Sequence, residues 1–467
     1  MSNEKTVEVT EVVDSAKFVG LPLGITCLTV LMMLVDGFDL QTMPFVAPAL
    51  IDEWGLDRSV MGPTLAANQI GMAIGSIGLG ALADRIGRRA SYIICLVFLF
   101  AGSLLCAFST ELSHLFYWRI LTGIGLGGVT PLAATMISEW TPKRVRNVAV
   151  AFAVVAVPTG GMIGAQVAQW IIPAYGWRTI FYIGAVLPLF FVFVALFLLP
   201  ESPRYLATRP AKHPALAKRL NMMLQQKRFD GTETFVVAEP PRPPENWFVT
   251  LFSGRYLYTS LLLCAAFLFN TLCLYSFINW LPTVLKAASF PAMDQLQGSK
   301  LFNFGGFFGA VGGAFLIGYV GSRLVGTGLA LIGAAAAALV GFAVVAAGSQ
   351  ADFQLLALIF VSGMALNGMQ CFLYTVGAHS YPTYIRASGV GTAQTVSRLG
   401  GYLSGTFGGI FFSIKPQPPI SYFFFSIGIV MLVIVVTFFS LRTHIHGKRG
   451  GGGDQPLPQT LQKGAAP

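Results

Sequence analysis

Asp36 and Asp39, within Val35-Asp36-Gly37-Phe38-Asp39-Leu40, lie inside a long apolar stretch, and Arg119 and Arg398 are set in two others. A carboxylate at the centre of a bilayer costs about 2.5–3.5 kcal/mol even on the lenient insertion scale, so a pair of them needs a reason. Three residues apart, the two acids share one face of a helix, and neighbouring carboxylates resist ionising together. One of them can therefore hold a proton near neutral pH. The structural alternative is that one acid merely bridges to Arg119. An arginine so placed offers a planar fork that can hold an anionic head group through two hydrogen bonds.

The elements that must position these groups follow from composition. The chain has 467 residues, 54% of them hydrophobic and 11% charged, with a mean hydropathy of +0.68. Soluble domains carry about a quarter charged residues, so an ordinary soluble enzyme, a coiled coil and a disordered chain are excluded. A membrane-crossing helix needs about 20 apolar residues. Windows of that size fall near 21–48, 59–83, 90–109, 115–140, 147–173, 179–199, 256–285, 300–320, 328–348, 353–377, 388–414 and 420–441. The period-2 pattern of a membrane barrel is missing. The sequence predicts an all-α membrane protein with twelve transmembrane helices.

Charge sorts the loops. Arg85, Arg88, Arg89, Lys143, Arg144, Arg146 and most other basic residues fall on one side, whereas the opposite loops hold Arg58, Arg178, Lys286, Lys300 and Lys415. The positive-inside rule then predicts both termini in the cytoplasm, and it accounts for the net charge of +10 without a nucleic-acid partner. The acidic start (Glu4, Glu8, Glu11, Asp14) and the long apolar stretch after it do not read as a cleavable signal. The six cysteines form no close pair and read as packing residues; the five histidines show no metal spacing. No nucleophile–base motif or nucleotide loop is present, so neither an enzyme nor a cofactor is expected.

The expected layout is a cytoplasmic segment over 1–20, a six-helix bundle over 21–199, a cytoplasmic linker over 200–255, a second six-helix bundle over 256–441 and a disordered cytoplasmic tail over 442–467. The run Pro240-Pro241-Arg242-Pro243-Pro244 favours an extended linker. The bundles resemble each other. An offset of 240 carries Gly123 to Gly363, Gly128 to Gly368, Pro142 to Pro382, Arg146 to Arg386, Gly160 to Gly400 and Gly161 to Gly401, and sets Glu139 on His379. An offset of 238 carries Gly80 to Gly318 and Arg85 to Arg323. Parallel six-helix repeats about a central site are a transporter architecture.

Between helices 2 and 3, Gly80-Ala81-Leu82-Ala83-Asp84-Arg85-Ile86-Gly87-Arg88-Arg89 resembles the signature loop of the major facilitator superfamily. Its second-half copy, Gly318-Tyr319-Val320-Gly321-Ser322-Arg323, has Ser322 in place of the acid. A tight turn with basic flanks needs no acid, so Asp84, with Arg85 and Arg88, is a candidate conformational lock. Arg119-Ile120-Leu121-Thr122-Gly123-Ile124-Gly125-Leu126-Gly127-Gly128 resembles the superfamily's helix-4 motif, and Pro200-Glu201-Ser202-Pro203-Arg204-Tyr205-Leu206 closes helix 6 as in many relatives. Val157-Pro158-Thr159-Gly160-Gly161 departs from the Gly-Pro order of antiporter members. Asp36-Gly37-Phe38-Asp39 resembles the paired-aspartate motif of the aromatic acid:proton symporter family, although Leu40-Gln41 differs from some relatives. The resemblance implies the major facilitator fold and proton-coupled import of benzoate- or hydroxybenzoate-like anions. It also places intramembrane charges at Arg119, Glu139 and Arg398.

Depth divides the remaining candidates. Glu139 lies about 30 Å along its helix from Arg119, at the cytoplasmic mouth beside Lys143 and Arg144, where it is either an interfacial ion pair or a gating residue. His379 reads as a loop or interface residue. Arg398 falls roughly 15 Å into helix 11, near the midplane. It is expected to grip a substrate carboxylate, unless helix-end carbonyls or another acid hold it. Arg119 is nearer the outer end and is expected to pair with the helix-1 acids. Asn68, Gln69, Asn270, Tyr275, Asn279, Asn367, Gln370, Tyr374 and Gln394 are candidate substrate contacts, though any single amide can equally be helix glue. The expected function is uptake of a small aromatic carboxylate with protons across the cytoplasmic (inner) membrane by alternating access, the chain acting as a monomer in the bilayer. Transport of a non-aromatic organic anion, efflux by antiport and a membrane ligand sensor are the alternatives.

Overall fold

The structure, a computed structural model, describes residues 6–237, 246–254, 256–348 and 351–440. The proline run at 240–244 and the tail from 441 lie outside the described residues. Twelve long helices account for most of the rest: α1 (Leu21–Trp54), α2 (Met61–Ile86), α3 (Arg88–Ala107), α4 (Leu112–Trp140), α5 (Lys143–Tyr175), α6 (Arg178–Leu198), α7 (Leu257–Ala287), α8 (Ala292–Val320), α9 (Ser322–Ala346), α10 (Phe353–Ser380), α11 (Thr383–Ser413) and α12 (Ser421–Ser440). Among the described residues, ten are apolar enough by length and hydropathy alone to cross a membrane. The chain is a multi-pass membrane protein.

In each half two pairs of helices cross at glycine. In the first half a Cβ on Gly123 (α4) would run into the carbonyl of Asn68 (α2), and one on Gly160 (α5) into that of Leu34 (α1). In the second half Gly363 (α10) meets the carbonyl of Phe302 (α8), and Gly400 (α11) that of Leu268 (α7). Small residues let membrane helices close to backbone contact, where packing supplies what the hydrophobic effect cannot. The repeat in the sequence is thus a repeat of crossings. The turns repeat as well, in a different register. Gly87 (φ 106°) joins α2 to α3 and Gly321 (φ 94°) joins α8 to α9, both in a conformation that side chains disfavour. Matching these turns sets Gly318, not Ser322, opposite Asp84, which corrects the offset of 238; the second copy still has no acid there.

The midplane and the far ends hold the halves together. One apolar cluster joins Met43, Val46, Leu50 and Met61 of the first half to Trp280, Leu281 and Val284 of the second, and a separate cluster fills the opposite end of the first half. We call the end bearing residues 6–20 and 200–237 the terminal face, and the other the far face. At the terminal face β1 (Thr6–Glu8) pairs in parallel with β2 (Thr234–Val236), Thr6 opposite Thr234. Short helices at Val9–Ser15, Pro203–Ala207 and His213–Leu224 surround them. Val9, Val12, Val13, Leu216, Leu220 and Phe235 are buried with the first bundle, and Asp14 accepts from the Lys143 backbone N–H (3.0 Å) and from Arg146 (2.5 Å).

Candidate functional site

The centre is built from α1 outward. Gly37 stands between the two acids and lets the Val157 carbonyl of α5 come up against α1. Asp39 and Arg119 are fully buried. Arg119 Nη1 meets Asp39 Oδ2 at 3.3 Å, Arg119 Nη2 donates to the Asp39 carbonyl at 3.0 Å, and Ser103 donates to Asp39 Oδ1 at 2.6 Å. Every polar atom of Asp39 that faces its neighbours therefore has a partner. Asp36 is also buried, yet its Oδ1 has no hydrogen-bond partner among the described residues. Arg398 of the second half and the Thr130 side chain lie near Asp36. The hydrogen bond of Arg398 goes to a weak acceptor, Met72 Sδ, at 3.6 Å. Two acids on one helical face thus differ in kind: one closed in a pair, one open towards a cation in the other bundle.

Around them lie amides short of partners. Both polar atoms of Gln69, together with Asn68 Oδ1 and Asn270 Oδ1, are buried without a hydrogen bond among the described residues. Gly401 of α11 leaves the room that the Gln69 side chain fills. Buried polar groups are nearly always satisfied, so a cluster of orphans marks a place where another molecule or water completes the set. Tyr275 lies beside Gln69, Tyr374 and Arg398. Asn270 Nδ2 donates to Gln370 Oε1 at 2.7 Å, Gln370 Nε2 reaches the Tyr374 hydroxyl at 3.5 Å, and Gln394 Nε2 donates to the same hydroxyl at 3.1 Å. Phe267 sets its ring edge-on to Tyr374, 5.3 Å between centroids. The structure thus brings Asp36, Asp39, Arg119, Arg398, Asn68, Gln69, Asn270, Tyr275, Gln370, Tyr374 and Gln394 around one centre. Asn279 and Asn367 are turned elsewhere. Asn279 donates to Ser404 of α11 at 3.0 Å, and Asn367 donates to the Gly363 carbonyl of its own helix and packs on Gly306 of α8.

Two features were missed in the sequence. Ser103 is an unremarked serine in an apolar helix. Gln41 and Asn303, one in each half, exchange a pair of amide hydrogen bonds. The only signal for them was an amide inside an apolar run, shared with many residues.

The terminal-face charges form a second network. Asp84 pairs with Arg88 one turn on (2.9 Å) and is otherwise exposed. Arg88 Nε lies 3.9 Å from Glu139, and Ser202 donates to Glu139. Glu139 does not meet Lys143 or Arg144: α4 ends at Trp140 and Pro142 opens α5 in a new direction, leaving both basic side chains exposed. The start of α3 is capped by Glu201, which accepts from the backbone N–H groups of Arg88 (2.8 Å), Arg89 (3.1 Å) and Ser202 (2.9 Å). A carboxylate there satisfies donors that a helix leaves open and meets the positive end of its dipole. Arg85 is exposed, and its carbonyl accepts from the Tyr205 hydroxyl at 3.2 Å. His379 is exposed at the end of α10.

Twelve helices in two parallel repeats, closing on a buried, incompletely satisfied polar centre, define a secondary transporter. Residues 27–405 match the model of the Major Facilitator Superfamily. The 4-hydroxybenzoate transporter PcaK of Pseudomonas putida is 34% identical over 382 residues, covering 81% of this chain and 84% of that one. The gallate transporter of the same species is 31% identical over 410 residues, covering 87% and 89%. The inward open conformation of the xylose transporter XylE from E. coli shares the fold, with a TM-score of 0.71 over 91% of this chain and 98% of that one at 18% identity. The chain belongs to the Major Facilitator Superfamily and, within it, to the family of aromatic acid transporters. It is a transporter and not an enzyme.

Proposed function

We propose that this protein imports an aromatic monocarboxylate together with protons, by alternating access of the central cavity to the two faces of the cytoplasmic (inner) membrane, with both termini inside. The observation that carries the reading is the pairing of an open acid with an open cation: Asp36 has a buried oxygen without a partner and Arg398 donates to a thioether, both among the described residues. A substrate carboxylate is a far better acceptor for Arg398 than Met72 is. Once the anion takes the arginine, Asp36 loses the charge that favours its ionised form, and a proton settles the difference. Proton and anion then cross together with their charges cancelled.

The relatives named above transport 4-hydroxybenzoate and gallate, aromatic carboxylates with ring hydroxyls. Such a substrate suits this centre: the rings of Tyr275 and Tyr374 can pack on it, and the unpartnered amide atoms of Gln69, Asn68 and Asn270 can serve ring hydroxyls. Asp39, held by Arg119 and Ser103, fixes the local field. Asp84, Arg88, Glu139 and Glu201 bias the terminal-face closure without touching substrate.

The test is uptake of labelled 4-hydroxybenzoate by purified protein in liposomes under an imposed pH gradient, a sodium gradient, or neither. Accumulation is expected with the pH gradient alone and should fall as the external pH rises. Dependence on sodium alone, or accumulation that ignores both gradients, overturns proton coupling. Failure of every aromatic acid beside uptake of an aliphatic one overturns the substrate class.

A further inference from the structure

The halves touch through three polar tiers on the way from the centre to the far face. Outermost, Lys286 of α7 pairs with Asp52 of α1 at 2.5 Å and donates to the Pro48 carbonyl. Next, Lys300 of α8 donates to Gln166 of α5 (2.9 Å), Gln166 to Gln169 (3.1 Å), and Gln169 to the Met293 carbonyl of α8 (3.1 Å). Innermost, two residues beyond Asp39, Gln41 of α1 and Asn303 of α8 bond reciprocally: Gln41 Nε2 to Asn303 Oδ1 at 2.7 Å, and Asn303 Nδ2 to Gln41 Oε1 at 2.8 Å. Both side chains are buried, while the Asp52 side chain is 72% exposed.

We infer that the Gln41–Asn303 pair is the far-side gate of the substrate cavity, a neutral two-bond clasp that holds the observed closure and parts when the cavity turns to the far face. The exposed outer ion pair is a weak holder, because water and salt compete for it. The clasp is sheltered from both, and it joins α1, which carries the acids, to the opposite bundle. When the halves separate on that side, water takes over both amides, so opening leaves no group unsatisfied. The clasp also explains the second glycine of Gly160-Gly161. Gly160 makes the crossing with α1, whereas Gly161 makes room for the clasp: a Cβ on it would collide with Gln41 Nε2 and stand 2.8 Å from Asn303 Oδ1. The inference rests on the alternating-access reading and adds the residues that control one of its two closures.

Ser299 supplies the probe. It lies one turn before Asn303 on the same face of α8, on the far side of the clasp, is 5% exposed, and its hydroxyl has no partner among the described residues. In lipid nanodiscs without substrate, the rate at which a charged maleimide labels S299C reports opening; the same protein without that cysteine gives the background. Gln41→Leu and Asn303→Leu should each raise the rate about tenfold, since each leaves a buried amide unpaired. The double leucine variant should return to within about threefold of the parent, because apolar partners of similar shape repair the closure. Gly161→Ala, which removes neither amide, should also raise the rate and keeps the test available if a leucine variant does not fold. Unchanged labelling in all single variants, or a double variant faster than either single, overturns the clasp. The expected labelling in a protein that accumulates no aromatic acid sustains the clasp while sinking the uptake reading, so the two fail separately.

Discussion

Asp36 and Asp39 stand three residues apart on α1, but replacing them should do different things to the protein. Asp39→Asn takes the anion from a buried pair and leaves Arg119 facing an amide, so stability should drop by on the order of 3 kcal/mol. Asp36→Asn removes a buried carboxylate with one unpartnered oxygen and should leave the thermal midpoint unchanged or slightly higher. Both variants should fail to accumulate substrate, while Asp36→Asn, which mimics the protonated acid, should still bind it; a thermal-shift series with 4-hydroxybenzoate separates the outcomes. Equal destabilisation by the two substitutions would show that the acids are not sorted by their partners. For Arg398, the expected signature is chemical. Arg398→Lys should weaken binding of the acid about tenfold or more and barely change binding of the matching uncharged amide, because a point charge cannot reproduce the guanidinium fork. Equal loss for both ligands would move the carboxylate to another partner. The charges themselves were plain in the sequence, since an acid or an arginine in an apolar run stands out at once. Which acid met which arginine was not, because it depends on how α4 and α11 are turned against α1. Gln41 and Asn303 were further from view: they are 262 residues apart and neither carries a charge.

The helices are organised by where a side chain is absent. Gly123 and Gly363, matched by one offset in the sequence, each admit a carbonyl of the neighbouring helix. Gly78 and Gly391 meet nothing within 4 Å. Gly123→Ala and Gly363→Ala should therefore each cost about 1–3 kcal/mol by overpacking, and Gly78→Ala and Gly391→Ala should not; thermal unfolding of the four purified variants decides it. Periodicity and composition foretold the helices and the repeat, because both are properties of runs. The turn register was not foretold, because a glycine's φ is not written in its neighbours: Gly80 and Gly318 matched in the sequence, while Gly87 and Gly321 match in shape. The same holds for the cap on α3. Asp84 stands beside the turn, yet Glu201 reaches the open N–H groups because the end of α6 returns to the start of α3.

At the scale of the whole molecule, the terminal face carries a small unit that hydropathy does not reveal. The segments 6–20 and 200–237 are polar enough to read as tether, yet Val9, Val12 and Val13 are buried in one apolar cluster with Leu216, Leu220 and Phe235. A buried valine contributes about 1.5 kcal/mol or more. Deleting residues 1–15 should lower the thermal midpoint and hasten protease cleavage between 226 and 254; an unchanged digestion pattern would mean that the sheet holds nothing in place. The sheet also bears on how the chain is made. Thr6–Glu8 leaves the ribosome before α1, whereas its partner Thr234–Val236 is translated only after all of α1 to α6. The leading strand therefore waits, unpaired, through the insertion of six helices, and is sealed just before the seventh begins. Pairing of these two strands is a timestamp of synthesis, set at the moment when one half of the protein is complete and the other does not yet exist.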